Sequence, residues 1–317
     1  MNKQRVVITR KVPDPLMPLL RKQFTVAHHD STDPLSPEKL REFVRGAHAI
    51  VSIADDKMTG EVCDAAGPQL KIIANYAVGY DNVDLGAAIQ RNIWVTHTPG
   101  VENSAVGLII ALMRGIVAGD ALVRGGKFKH WDAYTLVGPE LNRATLGIIG
   151  LGQIGSTVAE RAKGFDMRVL YFDVVRKNKL EEAIGVEYVA REDIFKQADV
   201  ITLHMPLTPA THHMVAREHL ALMKPSAFLL NLCRGPVVDE TALVAALKSR
   251  KIAGAGLDVY EHEPRLTPGL AELDNVVLTP HLGSSSAPAR EAMGRLVAES
   301  VIAALSGHTP PNLIEGT

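Results

Sequence analysis

The sequence predicts an α/β protein made of two doubly wound parallel-sheet domains. Short runs rich in Val and Ile alternate with segments of helical periodicity along most of the chain. This alternation breaks once, near Thr98-Pro99-Gly100, and then starts again. At 317 residues the chain exceeds what one hydrophobic core organises, and a hydrophobic content of 46% is enough to fill two.

The first series runs in order through a strand at residues 6–9, a helix over 16–24 and a strand at 25–27. A helix then opens at Ser36-Pro37-Glu38, where Ser36 suits the cap, Pro37 the first turn and Glu38 the positive end of the helix dipole. Strands follow at 49–53, 71–76 and 93–96, enough for a small sheet whose strands are buried on both faces. After the break, one long helix is expected over 104–124, crossing between domains, with Gly107 weakening its interior. Six further apolar runs, at 146–149, 169–172, 200–203, 227–230, 253–257 and 276–278, suit a full dinucleotide-binding sheet. A last helix over 287–305 is expected to return to the first domain. The domains are therefore expected at 1–99 with 284–317, and at 100–283.

Charge bounds the partners. With 34 Lys and Arg against 35 Asp and Glu, and no long block of one sign, neither nucleic acid nor a membrane surface is an expected partner. Cys63 and Cys233 stand far apart without metal-ligand spacing, so neither a disulfide framework nor a metal site is expected. His212-His213 reads as a polar loop, because adjacent side chains rarely converge on a metal. The first ten residues lack the hydrophobic region of a signal peptide and no run of 18 apolar residues follows, so a cytoplasmic setting is expected.

Gly150-Leu151-Gly152-Gln153-Ile154-Gly155 is a G-x-G-x-x-G placed directly between a strand run and a helical segment. Gly150 permits the tight turn, Gly152 lets backbone amides approach a pyrophosphate, and Gly155 allows close helix packing. Asp173 lies 23 positions after Gly150 and follows the next strand, where an acid binds the adenosine ribose hydroxyls. A carboxylate there favours NAD over NADP, although Arg176, Lys177 and Lys179 follow at once and can partly compensate. Arg234, Glu261, Glu263 and His281 each come just after a predicted strand, and in an open parallel sheet those ends form the ligand crevice.

These stretches resemble the D-isomer-specific 2-hydroxyacid dehydrogenases over almost the whole chain. The resemblance rests on Asn75-Tyr76-Ala77-Val78-Gly79-Tyr80-Asp81-Asn82-Val83-Asp84, the glycine motif, His204-Met205-Pro206-Leu207-Thr208, the Arg234 segment, residues 254–264 and residues 279–284. The first of these, with Pro310-Pro311-Asn312-Leu313, is most similar to glyoxylate and hydroxypyruvate reductases. The resemblance implies a Rossmann domain beside a smaller flavodoxin-like substrate domain, and a homodimer. It implies that Arg234 binds substrate, that His281 is the acid/base and that Glu263, rather than Glu261, stands behind it. It further implies substrate contacts from the backbone of Val78 and Gly79, and cofactor contacts from Gln153, Ile154, Asp173, Pro206, Thr211, Cys233, Asp258 and Ser284.

The chemistry agrees with those roles. A guanidinium offers a fixed fork of donors that can grip a substrate carboxylate and polarise the adjacent carbonyl. A histidine backed by a carboxylate can deliver the proton that a reduced carbonyl oxygen needs. D-Lactate and D-3-phosphoglycerate dehydrogenases are neighbouring readings, and an NAD(H)-sensing binding protein is the rival from another class. Substrate discrimination falls to side chains near residues 52–55 and 76–80. Lys129-His130-Trp131 reads as packing of the linker between domains, and the segment 101–122 as about five residues shorter than in relatives, more than one helical turn.

Overall fold

The computed structural model describes residues 3–13, 15–98 and 104–317, so the break at Pro99-Gly100 and the start of the shortened segment, Glu102-Asn103, lie outside the described residues. The chain divides into two compact units, Met1–Gly100 with Ser285–Thr317, and Val101–Ser284.

The first unit runs β1 (Arg5–Ile8), α1 (Leu16–Arg21), β2 (Thr25–His28), α2 (Pro37–Phe43), β3 (Ala49–Ile53), α3 (Gly60–Ala66), β4 (Ile72–Tyr76), α4 (Leu85–Gln90) and β5 (Trp94–Thr96). Its five strands are parallel in the order β2-β1-β3-β4-β5, the flavodoxin-like order. Successive side chains of a strand point to opposite faces, and here both faces are covered. Val6 and Ile8 pack into one core with Val51 and Ile72, while Val7 packs into the other with Ile50 and Ile73. That is why these strands are apolar throughout rather than alternating. Ser36 caps α2, its hydroxyl accepting from the Lys39 amide at 3.3 Å.

The second unit runs α5 (Ser104–Met113), α6 (Ile116–Arg124), β6 (Thr145–Ile149), α7 (Gln153–Lys163), β7 (Arg168–Phe172), α8 (Asn178–Ile184), β8 (Glu187–Tyr188), α9 (Arg191–Gln197), β9 (Val200–Leu203), α10 (Arg217–Leu222), β10 (Phe228–Asn231), α11 (Glu240–Lys248), β11 (Gly254–Leu257) and β12 (Val276–Leu278). The parallel order β12-β11-β10-β9-β6-β7-β8 reverses direction between β6 and β9. Such a reversal opens a crevice at the carboxyl ends of the strands. One core, with Leu203, Leu229 and Leu257, covers one face; the other, with Leu146, Ile148 and Leu230, covers the opposite face. The chain returns to the first unit as α12 (Ala287–Leu305), which packs on β4 and α1 and receives a hydrogen bond from the Tyr76 hydroxyl to the Arg290 carbonyl at 2.9 Å.

Three expectations are corrected. The long helix over 104–124 is two helices bent by 62°, because Gly115 takes a left-handed φ of +59° and ends the first. Gly107 sits inside α5 with open space around it, and Gly119 lies inside α6. The second sheet has seven strands rather than six, since the two-residue edge strand β8 is too short to show a pattern. Trp131 does not pack within its own unit: it is 81% exposed. No single described helix is long and apolar enough to cross a membrane.

Candidate active site

The glycine turn joins β6 to α7. Gly150 has φ +96°, and a Cβ on Gly155 would lie 2.1 Å from the Gly150 carbonyl oxygen, so neither position accepts a side chain. A Cβ on Gly152 would meet nothing within 4 Å. That open space faces the start of α7, whose cap has no side-chain acceptor and whose first turn has no acidic residue. Gln153 and Ile154 thus begin a helix whose amides and positive dipole are left for an anion. Asp173 follows β7, and its Oδ2 accepts the Leu151 amide at 2.8 Å, which brings the carboxylate beside the turn. An open cradle for a pyrophosphate with a carboxylate at its side fits a dinucleotide.

On the other side of the reversal, β9, β10, β11 and β12 are neighbours, and each delivers a functional loop at its carboxyl end. Pro206 and Thr211 share the loop after β9, where the Thr211 hydroxyl donates to the Pro206 carbonyl at 2.7 Å. Cys233 and Arg234 follow β10. Burial pushes the Cys233 thiol up to about 11, so it stays protonated. Arg234 Nη1 donates to the Cys233 carbonyl at 2.8 Å, which folds the guanidinium over its own loop. The next residue is glycine because a Cβ on Gly235 would lie 1.9 Å from the Tyr260 carbonyl carbon and oxygen. The Arg234 loop and the loop after β11 therefore touch backbone to backbone.

Asp258 begins that second loop and is 1% exposed. Its Oδ1 accepts from the Leu282 amide at 2.7 Å and the Thr279 hydroxyl at 2.6 Å, and its Oδ2 accepts from the Gly283 amide at 2.7 Å. The His281 amide donates to the Asp258 carbonyl at 2.9 Å. These bonds hold His281 at φ +55°, a left-handed conformation that a non-glycine residue keeps only when its surroundings insist. Ser284 ends the same turn.

His281 Nδ1 lies 2.9 Å from Glu263 Oε1. Because a carboxylate only accepts, Nδ1 carries the hydrogen of that bond and Nε2 is left to exchange a proton. The bond to Glu263 holds the imidazole above its usual pKa, against its burial, with the charges of Glu263 and Asp258 adding and that of Arg234 subtracting. The opposing effect of Arg234 means that its guanidinium and the imidazole share one electrostatic neighbourhood.

Glu261 goes elsewhere. Its Oε1 meets His213 Nε2 at 2.6 Å, its Oε2 accepts the Glu240 amide at 3.1 Å, and its own amide donates to Glu240 Oε1 at 2.7 Å. Glu240, itself 1% exposed, also accepts from Thr267. This lattice ties the start of α11 to the loop that carries Glu263, and sequence reading missed it. Nothing in the spacing of His213, Glu240, Glu261 and Thr267 announces that they meet.

A family model for the NAD-binding domain of D-isomer-specific 2-hydroxyacid dehydrogenases matches residues 106–283. The glyoxylate reductase of Thermococcus litoralis is 46% identical over 98% of this chain and 97% of its own. The chain belongs to the D-isomer-specific 2-hydroxyacid dehydrogenase family. It is an NAD(P)-dependent oxidoreductase, and the unit with the glycine turn is its NAD-binding domain. Among solved structures, the TT0316 protein of Thermus thermophilus superposes on this dehydrogenase with a TM-score of 0.90, at 41% identity over 98% of this chain and 100% of that one. An NADPH-dependent glyoxylate/hydroxypyruvate reductase of Sinorhizobium meliloti, solved with NADP and malonate, does so with a TM-score of 0.88, at 30% identity over 100% of this chain and 98% of that one.

In the first unit of this dehydrogenase, Val78 and Gly79 follow β4. The carbonyls of Ala77, Val78 and Gly79 accept from the Thr98 amide at 2.9 Å, His97 Nδ1 at 2.8 Å and Asn75 Nδ2 at 2.9 Å. In a trans peptide the N–H points opposite to the carbonyl, so the amides of Val78, Gly79 and Tyr80 turn away from the groups that hold the loop. Asn75 is itself fixed by Ser52 and Asn82, at 2.9 and 3.0 Å.

Proposed function

We propose that this dehydrogenase reduces glyoxylate or hydroxypyruvate to the 2-hydroxy acid, with NADH as the preferred reductant. The observation that carries the proposal is the Glu263–His281 pair standing beside Arg234 on adjacent strand ends. Curated relatives called glyoxylate reductase, 42–46% identical over the whole chain, support the choice of acid.

Arg234 grips the carboxylate of the 2-oxo acid and polarises its carbonyl, and the backbone amides of Val78 and Gly79 are the substrate contacts proposed for the first unit. Bound NADH supplies the hydride. Gly150, Gly152, Gln153, Ile154 and Gly155 cradle its pyrophosphate and Asp173 takes the ribose hydroxyls, while Pro206, Thr211, Cys233, Asp258 and Ser284 complete the cofactor contacts. As negative charge grows on the carbonyl oxygen, His281 Nε2 delivers a proton, and Glu263 stabilises the imidazolium beforehand and keeps the ring aimed. In the reverse direction the same nitrogen starts neutral and takes the hydroxyl proton. The unit of residues 101–284 is thus the cofactor domain and the other unit the substrate domain.

The protein is further read as a cytoplasmic homodimer. Helix α6 buries none of its side chains although it carries Ile116, Val117 and Val123, and the segment after it exposes Phe128, Trp131, Tyr134 and Val137. So many exposed apolar side chains within one short stretch of the chain suit a second copy of the chain.

Turnover of glyoxylate, hydroxypyruvate, pyruvate and 3-phosphohydroxypyruvate by the purified protein, with NADH and with NADPH, tests the proposal. The highest kcat/KM is expected for glyoxylate or hydroxypyruvate with NADH. A clear preference for pyruvate or the phosphorylated acid would reassign the substrate, and tight NADH binding without turnover would favour a sensing protein.

A further inference from the structure

The loop after β7 carries a second charged group, Arg176, which the fold holds away from the glycine turn. Asp173 faces the turn after β6, through the Leu151 amide. Arg176 turns the other way: its guanidinium lies 5.4 Å over the ring of Tyr188 in β8, the strand that flanks β7 on its far side. There its Nε and Nη2 each donate to a carboxylate oxygen of Glu181 at 2.8 Å, a two-pronged ion pair. The Glu181 side chain is 18% exposed against 58% for Arg176, so the better-buried partner fixes the freer one. Glu181 Oε1 also accepts from the Tyr171 hydroxyl at 2.6 Å, and that hydroxyl accepts the Lys177 amide at 2.8 Å. Arg176 and Tyr171 hold the Glu181 carboxyl down at about 2, and burial with the neighbouring carboxylate pushes Tyr171 up to about 12. The clamp therefore keeps one charge state across the working pH range.

We propose that Glu181 is a specificity-determining residue for the cofactor: by holding Arg176 against β8 it keeps a guanidinium out of reach of the 2′-position of the adenosine ribose. The Asp173 carboxylate then acts without the Arg176 guanidinium against it, accepting from the free hydroxyl of NADH and repelling the 2′-phosphate of NADPH. Three residues from Asp173, a released Arg176 offers the two-pronged donor set that phosphate recognition uses. The inference rests on the proposed function, in that the dinucleotide lies along the glycine turn with its ribose at Asp173.

Direct titration of NADH and NADPH binding by fluorescence, independent of turnover, tests it. The proteins are the wild type, Asp173→Ser, Asp173→Ser with Glu181→Gln, and both of these with Arg176→Ala. Glu181→Gln retains an acceptor for Tyr171, and a melting curve for each protein verifies that it is folded. In the Asp173→Ser background, Glu181→Gln is expected to tighten NADPH binding at least tenfold and to leave NADH within about twofold. The gain is expected to vanish when Arg176 is alanine. An unchanged NADPH affinity, or an equal gain without Arg176, overturns the proposal while NADH binding by the wild type leaves the underlying reading intact. Failure of the wild type to bind either cofactor overturns both.

Discussion

Glu261 and Glu263 stand two positions apart on one loop, yet one bonds His213 and the start of α11 while the other bonds the His281 imidazole. Glu263 raises the pKa of His281, so the protonated imidazole that reduction needs persists to higher pH than an isolated histidine would allow. The kcat/KM for reduction is therefore expected to be flat at low pH and to fall as pH rises through that pKa. Glu263→Gln removes the cause of the shift, so the falling limb moves to lower pH, with kcat at neutral pH reduced about 10- to 100-fold. Glu261→Gln is expected to loosen the loop and lower the melting temperature while leaving the limb where it was. A pH–rate profile for the two variants separates the roles. His204 makes a second pH-dependent contribution: burial pushes it down to about 4, while its hydroxyl partner, Thr202, lies 3.0 Å away. Because the folded pKa is below the unfolded one, acidification from about pH 6.5 toward 4 favours the unfolded chain, by about 2 kcal/mol once partial exposure is allowed for. Urea midpoints followed over that range are expected to fall less for His204→Gln. At this scale the placement of Arg234, Glu263 and His281 after β10, β11 and β12 was legible from the apolar runs before them, whereas the choice of Glu263 over Glu261 rested on the family resemblance, because both follow the same strand. The Asp258 brace under His281 was not legible, since sequence does not say which amide a buried carboxylate will meet.

In the β6–α7 turn the glycines are not equivalent. Gly155→Ala drives a methyl group into the Gly150 carbonyl and is expected to cost about 3 kcal/mol of stability. Gly152→Ala meets open space, so the melting temperature is expected to stay within a degree or two. On the proposed function the methyl group would stand where the pyrophosphate binds, and NADH binding is expected to weaken at least tenfold. Calorimetry beside a cofactor titration distinguishes the two. This turn was readable from sequence because three glycines at fixed spacing between a strand and a helix have few other uses. The bend between α5 and α6 was not readable, because Gly107 and Gly115 look alike in a string of apolar residues. Only the backbone shows that one stays helical and the other turns left-handed. The edge strand β8 escaped for a different reason: two residues cannot display a period.

For the whole molecule, alternating apolar runs, their restart and the length of the chain were sufficient to anticipate two parallel sheets, because strands buried on both faces must be apolar throughout. What composition cannot reveal is which apolar residues a folded chain leaves uncovered. Trp131, Tyr134 and Val137, exposed by 81%, 89% and 76%, are where that matters. Sedimentation is expected to give a dimer, and Val117→Asp with Val123→Asp on α6 is expected to shift it to monomer; a wild-type monomer would refute this reading of the surface. The central claim, that Arg234, Glu263 and His281 reduce a 2-oxo acid, is tested most directly by NADH oxidation with glyoxylate and with hydroxypyruvate. Wild type and His281→Ala are compared at equal cofactor saturation. The account predicts robust turnover by the wild type, a loss of at least 100-fold in the variant and an unchanged Kd for NADH. Turnover that survives in His281→Ala would contradict it.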